Sequence, residues 1–283
     1  MIAEIHLSFR IKSDFQKKVY AHYKSNGRDL PWRKTTDPYK ILVSEIMLQQ
    51  TQVSRTIDTY KNFIHLFPDP ESLASASFND ILHAWQGMGY NRRALSLMKT
   101  AQIIMKFHNG MVPEDEKTLL SLPGIGIATA RAIQAFAFNK PVILIETNIR
   151  AVFIFHFFQN HNTVHDSEIR PFVELTLDTA NPRKWYNALM DYGSHLKKLH
   201  GNPARLSAHH RRQVPFEGSV RQVRGLILKH VLEEKKVSRS HLLKVLSCDP
   251  DVVTRILRIL ESEGFIVSYD NYIFLAQTGG NYI

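Results

Sequence analysis

Leu122-Pro123-Gly124-Ile125-Gly126, running into Ile127-Ala128-Thr129-Ala130-Arg131-Ala132-Ile133, is the stretch that decides how this chain folds. Two glycines flanking one apolar residue permit a turn tight enough to bring backbone N–H groups up to a phosphate at the start of the next helix. A polar helix start precedes the turn and a small-residue helix follows it, so residues 114–139 read as helix, hairpin, helix. A lone G-x-G would fit any helix connection, whereas the whole run is far more restrictive.

Outward from this hairpin, Phe15 to about Leu199 reads as successive amphipathic helices joined by short turns at Pro, Gly, Asp or Asn, with almost no strand-like alternation. The expected class is mainly α, with residues 1–200 as one helical domain of two lobes. No acidic residue occurs between Asp191 and Glu217, where Lys197, Lys198, His200, Arg205, His209, His210, Arg211 and Arg212 collect. Residues 201–219 therefore read as a basic linker. Beyond it, Val220 to Leu232, Ser238 to Leu246 and Asp249 to Gly264 read as helices, and Phe265 to Tyr269 with Tyr272 to Leu275 as strands turned by Asp270-Asn271. Three helices and a hairpin over 220–283 resemble a small winged-helix-like α+β domain. That class meets DNA through its third helix, here with Arg255 and Arg258, or serves as a protein-interaction module.

Composition bounds the function. With 283 residues, 44% hydrophobic and 22% charged, the chain can bury a core in two or three units and is not a disordered polymer. A net charge of +10 favours a polyanionic partner, nucleic acid first, although ribosomal and membrane-surface proteins share it. The most apolar segment, Val142 to Phe158, is interrupted by Glu146, Asn148, Arg150 and His156, so no membrane span is expected. The opening MIAEIHLSFRIK has no signal-peptide core, which makes a cytoplasmic location the expectation. A single cysteine, Cys248, rules out an intrachain disulfide and any four-cysteine zinc or iron–sulfur site within this chain.

Two carboxylates carry the chemistry. In Pro38 to Val53, Leu42, Glu45, Ile46 and Gln49 share one helix side, so Glu45 points where a core belongs. A half-buried carboxyl has its pKa raised by desolvation and can hold a proton near neutral pH, although a buried ion-pair partner fits the same position. In Val142 to Val152 an apolar run leads into Glu146 just before a helix beginning near Thr147. There the macrodipole favours an ionised carboxylate, which also describes an ordinary helix cap. Together the two would supply one acid and one anion, the pairing that cleavage of a glycosidic bond uses.

Leu30 to Arg33 (L-P-W-R), Ser44 to Val53 (S-E-I-M-L-Q-Q-T-Q-V), Gly87 to Tyr90 (G-M-G-Y), Leu122 to Gly126 and Met190 to Gly193 (M-D-Y-G) follow one another in the order and spacing of MutY-type adenine DNA glycosylases. The chain resembles that family, of the helix-hairpin-helix superfamily that includes endonuclease III, over roughly residues 15–200. The resemblance implies monofunctional hydrolysis of an adenine flipped out of its pair with guanine or 8-oxoguanine in double-stranded DNA, by a monomer. It puts Glu45 on the general acid and Glu146 on the residue that stabilises the oxocarbenium-like sugar. Arg33, Leu48, Ala128, Asn148 and Asp191 fall around the base pocket. Gln50, Thr51, Met88 and Tyr90 fall where the duplex is wedged. Leu122, Gly124, Gly126, Ile127 and Thr129 fall on the hairpin that grips the backbone, where carbonyls near Leu122, Gly124 and Ile127 would hold a cation. Lys197, Arg211 and Arg212 of the basic stretch, with Arg255 and Arg258, complete the expected DNA contacts.

The departures from the family narrow the expectation. Glu146 stands where the superfamily has Asp, and Ala128 where its strand-cleaving members have Lys, so no Schiff base is expected there. After Gly193 the chain reads Ser-His-Leu-Lys-Lys-Leu-His instead of cluster cysteines, so no iron–sulfur cofactor is expected. His195, His200, His209 and His210 lack ligand company at metal spacing, so no metal site is expected among them. The winged-helix-like domain is expected to stand in place of the family's Nudix-like one. Two other readings stay open: removal of thymine or uracil opposite guanine, and a non-catalytic protein that binds DNA lesions.

Overall fold

The computed structural model describes residues 9–211, 215–246 and 248–276. The chain crosses three times between two compact units, unit 1 comprising Met1–Ile46 and Val112–Arg212, and unit 2 Met47–Met111 and Gln213–Ile283.

Unit 1 opens with α1 (Phe9–Asn26), a 3-10 turn (Pro31–Arg33) and most of α2 (Pro38–Leu48). In unit 2 follow α3 (Val53–Leu66), α4 (Pro70–Ser75), α5 (Phe78–Ala84) and α6 (Arg92–Phe107). The chain then returns to unit 1 with α7 (Glu116–Ser121), α8 (Ile127–Phe138), α9 (Thr147–Phe157), α10 (Asp166–Thr176) and α11 (Pro182–His200). Starts are marked by side-chain caps: Asp69, Ser77 and Asp115 accept N–H bonds from the first turns of α4, α5 and α7. The core of unit 1 gathers on α11, whose Trp185, Tyr186, Ala188 and Leu189 are fully buried with Val19, Ile149 and Phe153. In unit 2 Phe63, Leu73, Ile81, Trp85 and Leu97 do the same between α3 and α6.

The hairpin forms as its residues require. Gly124 sits at φ +78°, where a side chain would be strained, and Leu122 and Ile125 turn inward at 2% and 6% exposure. Gly126 caps α8, leaving Gly126, Ile127 and Ala128 exposed at its start. An Arg131–Glu116 ion pair of 2.7 Å and a Gln134 bond of 3.0 Å to the Glu114 carbonyl tie the two arms.

The C-terminal residues hold α12 (Val220–Glu234), β1 (Val237–Ser238), α13 (Arg239–Val245), α14 (Pro250–Ser262), β2 (Ile266–Tyr269) and β3 (Tyr272–Leu275). The sheet is antiparallel in the order β1-β3-β2, with Val237 opposite Ile273 and Tyr269 opposite Tyr272. Asp270 and Asn271 take φ +46° and +65°, the left-handed pair that a two-residue hairpin needs. The short β1 carries too little pattern to be read from sequence.

Two features of the described residues bear on the expected domain division. The described residues from Val220 onward share unit 2 with residues 47–111: Phe265 packs on Phe78 at 5.6 Å, and Glu263 receives Arg92 and Arg224. The stretch 201–219 is not a plain linker throughout. Pro203–Leu206 forms a 3-10 turn, Ala204 and Ser207 are buried, and Val164 bridges Ser207, because this segment covers α9. No helix among the described residues is long and apolar enough to cross a membrane.

Candidate active site

Glu45 lies near the end of α2, half-buried behind Ile41, Leu42 and Ile46. Its carboxyl makes no hydrogen bond among the described residues. Burial above all, then the negative charge of Glu146, push its pKa up to about 8, against the pull of the Arg33 cation.

Glu146 is the N-cap of α9. Its Oε1 accepts from the backbone N–H of Asn148 at 2.7 Å and Ile149 at 3.0 Å, and its Oε2 accepts from Asn148 Nδ2 at 3.2 Å. The extra methylene relative to Asp is taken up by curling the carboxylate back onto its own helix. Burial raises its pKa, so the cap alone does not guarantee ionisation as sequence reasoning held; the two N–H groups, Lys197 and Arg150 pull the other way. Glu146 thus has donors and cations around it, while Glu45 has burial and a neighbouring anion. When the pair holds one proton, Glu45 keeps it.

The M-D-Y-G run has a packing reason. A Cβ on Gly193 would lie 2.3 Å from the Asn148 carbonyl oxygen, so only glycine lets α11 pass this close to the start of α9. One turn on, Lys197 Nζ donates to Asn148 Oδ1 at 2.9 Å. Lys197 is therefore turned inward and half-buried beside Glu146, with its pKa lowered by burial, and not a surface contact of the basic stretch. Desolvation of the ammonium is the larger effect, and the pull of the Glu146 carboxylate only partly offsets it.

Arg33 and Asp191 meet, but as a buried ion pair. Arg33 grips both Asp191 oxygens at 2.8 Å, Arg28 Nε adds a 2.6 Å bond and Arg28 N–H another of 2.8 Å. Burial works to raise the Asp191 pKa, yet these bonds and cations hold it below the ordinary carboxylate range. The guanidinium of Arg33, a cation that acts on Glu45, is thereby fixed. Sequence reasoning missed Arg28, which carries no motif signal.

In unit 2 the two loops expected to wedge the duplex are joined by another residue that sequence reasoning missed. Arg93 is buried, and its guanidinium donates to the carbonyls of Met47, Gln49, Met88 and Gly89 and to Thr51 Oγ1, at 2.6 to 3.3 Å. It also lies 5.5 Å from the Trp85 ring and 5.4 Å from that of Tyr90. Gln50 and Tyr90 sit at φ +55° and +50°, left-handed for residues with side chains, so the loops need such a clasp. Gln50 and Tyr90 are exposed, Thr51 and Leu48 half-buried, and Met88 only 2% exposed. Met88 is buried, and its N–H donates to the Trp85 carbonyl at 3.2 Å; Tyr90 is the aromatic that faces out. A cation in a sequence just after G-x-G-Y was the available signal for Arg93, since glycine-rich turns leave carbonyls unpaired.

The remaining positions divide by exposure. Ala128 and Ile127 are open, Thr129 is half-buried, and Leu122 supports the turn from inside. The Leu122 carbonyl accepts from Ile125 N–H at 3.3 Å. Arg211 is exposed and Arg212 lies outside the described residues. Arg255 and Arg258 are exposed on α14, and Arg258 joins Arg239, Tyr269 and Tyr272 around a depression of about 380 Å³ beside the hairpin. Ser194 to His200 contain no cysteine; His195 lies tilted against His22 with ring centroids 4.5 Å apart, and His200 stacks on Phe155.

Residues 43–171 match the HhH-GPD superfamily of base excision DNA repair proteins. The adenine DNA glycosylase of Mycolicibacterium smegmatis is 34% identical over 277 residues, covering 88% of this chain and 91% of that protein. That of Mycobacterium tuberculosis is 44% identical over 135 residues, covering 47% of this chain and 44% of that protein, so the match spans about half the length of this relative. Among solved structures, that of a thermostable thymine-DNA glycosylase aligns with a TM-score of 0.59 at 28% identity, over 65% of this chain and 86% of the other.

Proposed function

Because the chain belongs to the adenine DNA glycosylases of the HhH-GPD superfamily, we propose that it removes adenine mispaired with guanine or 8-oxoguanine from double-stranded DNA by hydrolysis of the N-glycosidic bond. The observation that carries the reading is the split pair: Glu45 near pKa 8 keeps a proton at neutral pH, while Glu146 is surrounded by donors.

Glu45 gives its proton to the departing base, which then leaves neutral. Positive charge develops on the sugar as the bond to the base breaks, and the Glu146 carboxylate stabilises it through space. Water adds to the sugar carbon and its proton returns to Glu45, so the enzyme ends as it began. Lys197 and Asn148 hold Glu146 in place, and the Arg33–Asp191 pair keeps one fixed cation near Glu45. Base flipping is supported by the exposed Gln50 and Tyr90 on loops clasped by Arg93, and backbone grip by the open start of α8. The exposed Arg255 and Arg258, with Arg211, supply further phosphate contacts. Ala128 offers no amine, so release without strand cleavage is part of the proposal. We place the protein in the cytoplasm as a monomer, with neither cluster nor catalytic metal.

A second reading, thymine or uracil release opposite guanine, rests on the likeness to the thymine-DNA glycosylase structure. Single-turnover release from duplexes with adenine, thymine or uracil opposite guanine and 8-oxoguanine separates the two. Adenine release with strand breaks only after alkali is expected. Thymine or uracil release would overturn the adenine assignment, breaks without alkali the monofunctional one, and tight binding with no release the catalytic reading.

A further inference from the structure

The C-terminal part of unit 2 brings together three side chains that the excision chemistry does not use. His230 and Glu234 stand one turn apart on α12, with His230 Nδ1 3.1 Å from Glu234 Oε1. From α13, His241 Nε2 lies 3.4 Å from the same oxygen. All three ligand atoms lie within 4.8 Å of one another, and the two imidazoles meet edge to face with centroids 6.2 Å apart. An ion with nitrogen and oxygen ligands at ~2.0–2.2 Å spaces adjacent ligand atoms ~3.0–3.5 Å apart. Two of the three separations already have that spacing, so closing a site here needs only a small rotation of the rings.

The ligands are also held in place by backbone. Two belong to one helix, and the third follows β1, which pairs with β3. Ser238 caps α13 by accepting the His241 N–H at 3.1 Å. The turn between the helices puts Lys235 at φ +62°, a left-handed conformation that a lysine adopts only when its surroundings impose it. Lys236 in the same turn lies over the Tyr272 ring at 4.0 Å, which occupies its ammonium.

We propose that His230, Glu234 and His241 bind one divalent transition-metal ion of the zinc class through two imidazole nitrogens and one carboxylate oxygen, with water completing the shell. Calcium and magnesium are disfavoured because they take oxygen ligands; zinc accepts a mixed nitrogen and oxygen set. The role is structural. The ion ties the end of α12 to the start of α13 and so steadies the support of α14, which carries Arg255 and Arg258. The carboxylates Glu45 and Glu146 belong to the other unit.

The chelator-treated full chain is titrated with zinc chloride by calorimetry, and with cobalt(II) by visible absorption. One saturable equivalent is expected, weakened by ~10-fold or more in E234Q and H241A and unchanged in H161A. Zinc should raise the melting temperature of the parent chain and not that of E234Q, which keeps the shape of the side chain and guards against mistaking misfolding for lost ligation. A parent chain without a saturable equivalent overturns the site. So does binding that survives in E234Q and H241A, which would mean that the ion rests on others of the 14 histidines.

Discussion

In unit 1 two carboxylates are forced into one half-buried pocket and given different surroundings; in unit 2 a guanidinium is buried among carbonyl oxygens and holds two left-handed loops. The pocket uses burial to set where a proton resides. The clasp uses it to set where backbone goes. Both cost stability, the first through desolvated charge and the second through strained φ, and cost of this kind concentrates where a protein acts on a ligand. The difference teaches that the two regions should fail differently: the pocket in rate and pH dependence, the clasp in duplex recognition.

The largest effect expected is on the pocket. E45Q should lower single-turnover base release by ~10²–10⁴-fold while leaving duplex affinity within a few-fold. Equal loss of both would make Glu45 a structural residue. In the parent chain, release should fall as pH rises through about 8, where Glu45 loses its proton. The stability effect has a definite sign. Between the ordinary value of 4.5 and about 8 the folded chain holds a proton that the unfolded chain has released, so stability falls as pH rises through that window. E45Q should therefore be more stable than the parent at pH 8, on the order of 2–4 kcal/mol, and equal to it near pH 4. Denaturant titrations at the two pH values check this, and an unchanged difference would mean that Glu45 is not desolvated.

Next in size is the packing under the pocket. G193A drives a methyl into the Asn148 carbonyl and should destabilise by ~3 kcal/mol, more than an ordinary overpacking, because backbone and not a flexible side chain is met. A neutral substitution would show that α11 and the start of α9 separate freely, and the pocket would lose its reason for glycine. On the clasp side, R93A removes the guanidinium that donates to the carbonyls of Met47, Gln49, Met88 and Gly89 and should cost ~2–3 kcal/mol. Its diagnostic is the contrast with E45Q: duplex affinity should fall while the pH profile of the residual rate stays where it was. A shifted profile would mean that the two regions are not separable.

How much of this was legible beforehand depends on local pattern. The hairpin, the helical class and the Asp270-Asn271 turn could be read because glycine position and apolar period determine them within a few residues. Glu45 was legible because a carboxylate on an apolar helix side has few explanations. The contacts of residues 47–111 with the C-terminal part of unit 2 were not, since Phe265 on Phe78 and Glu263 with Arg92 join parts of the chain distant in sequence. Lys197 was read as surface because a run of basic residues looks solvated, and only the Gly193 approach shows that it faces Asn148. Arg28 and Arg93 act through partners far along the chain, which periodicity does not report.

The smallest effect is expected where the chain departs from its family, and it is the sharpest test of the pocket. Glu146 acts as a cap through one oxygen, and Asp is itself a strong N-cap that reaches the same two N–H groups. E146D should keep helix and fold, with stability within about 1 kcal/mol. What it gives up is the reach to Asn148 Nδ2, and with it the link through Asn148 to Lys197. Release should therefore drop only ~3- to 10-fold, the worth of one hydrogen bond, with duplex affinity unchanged. A rise in rate would mean that the longer side chain is a handicap and that Lys197 compensates for it. A collapse as deep as that of E45Q would mean that the Asn148–Lys197 link positions the whole carboxylate, and K197M should then reproduce it.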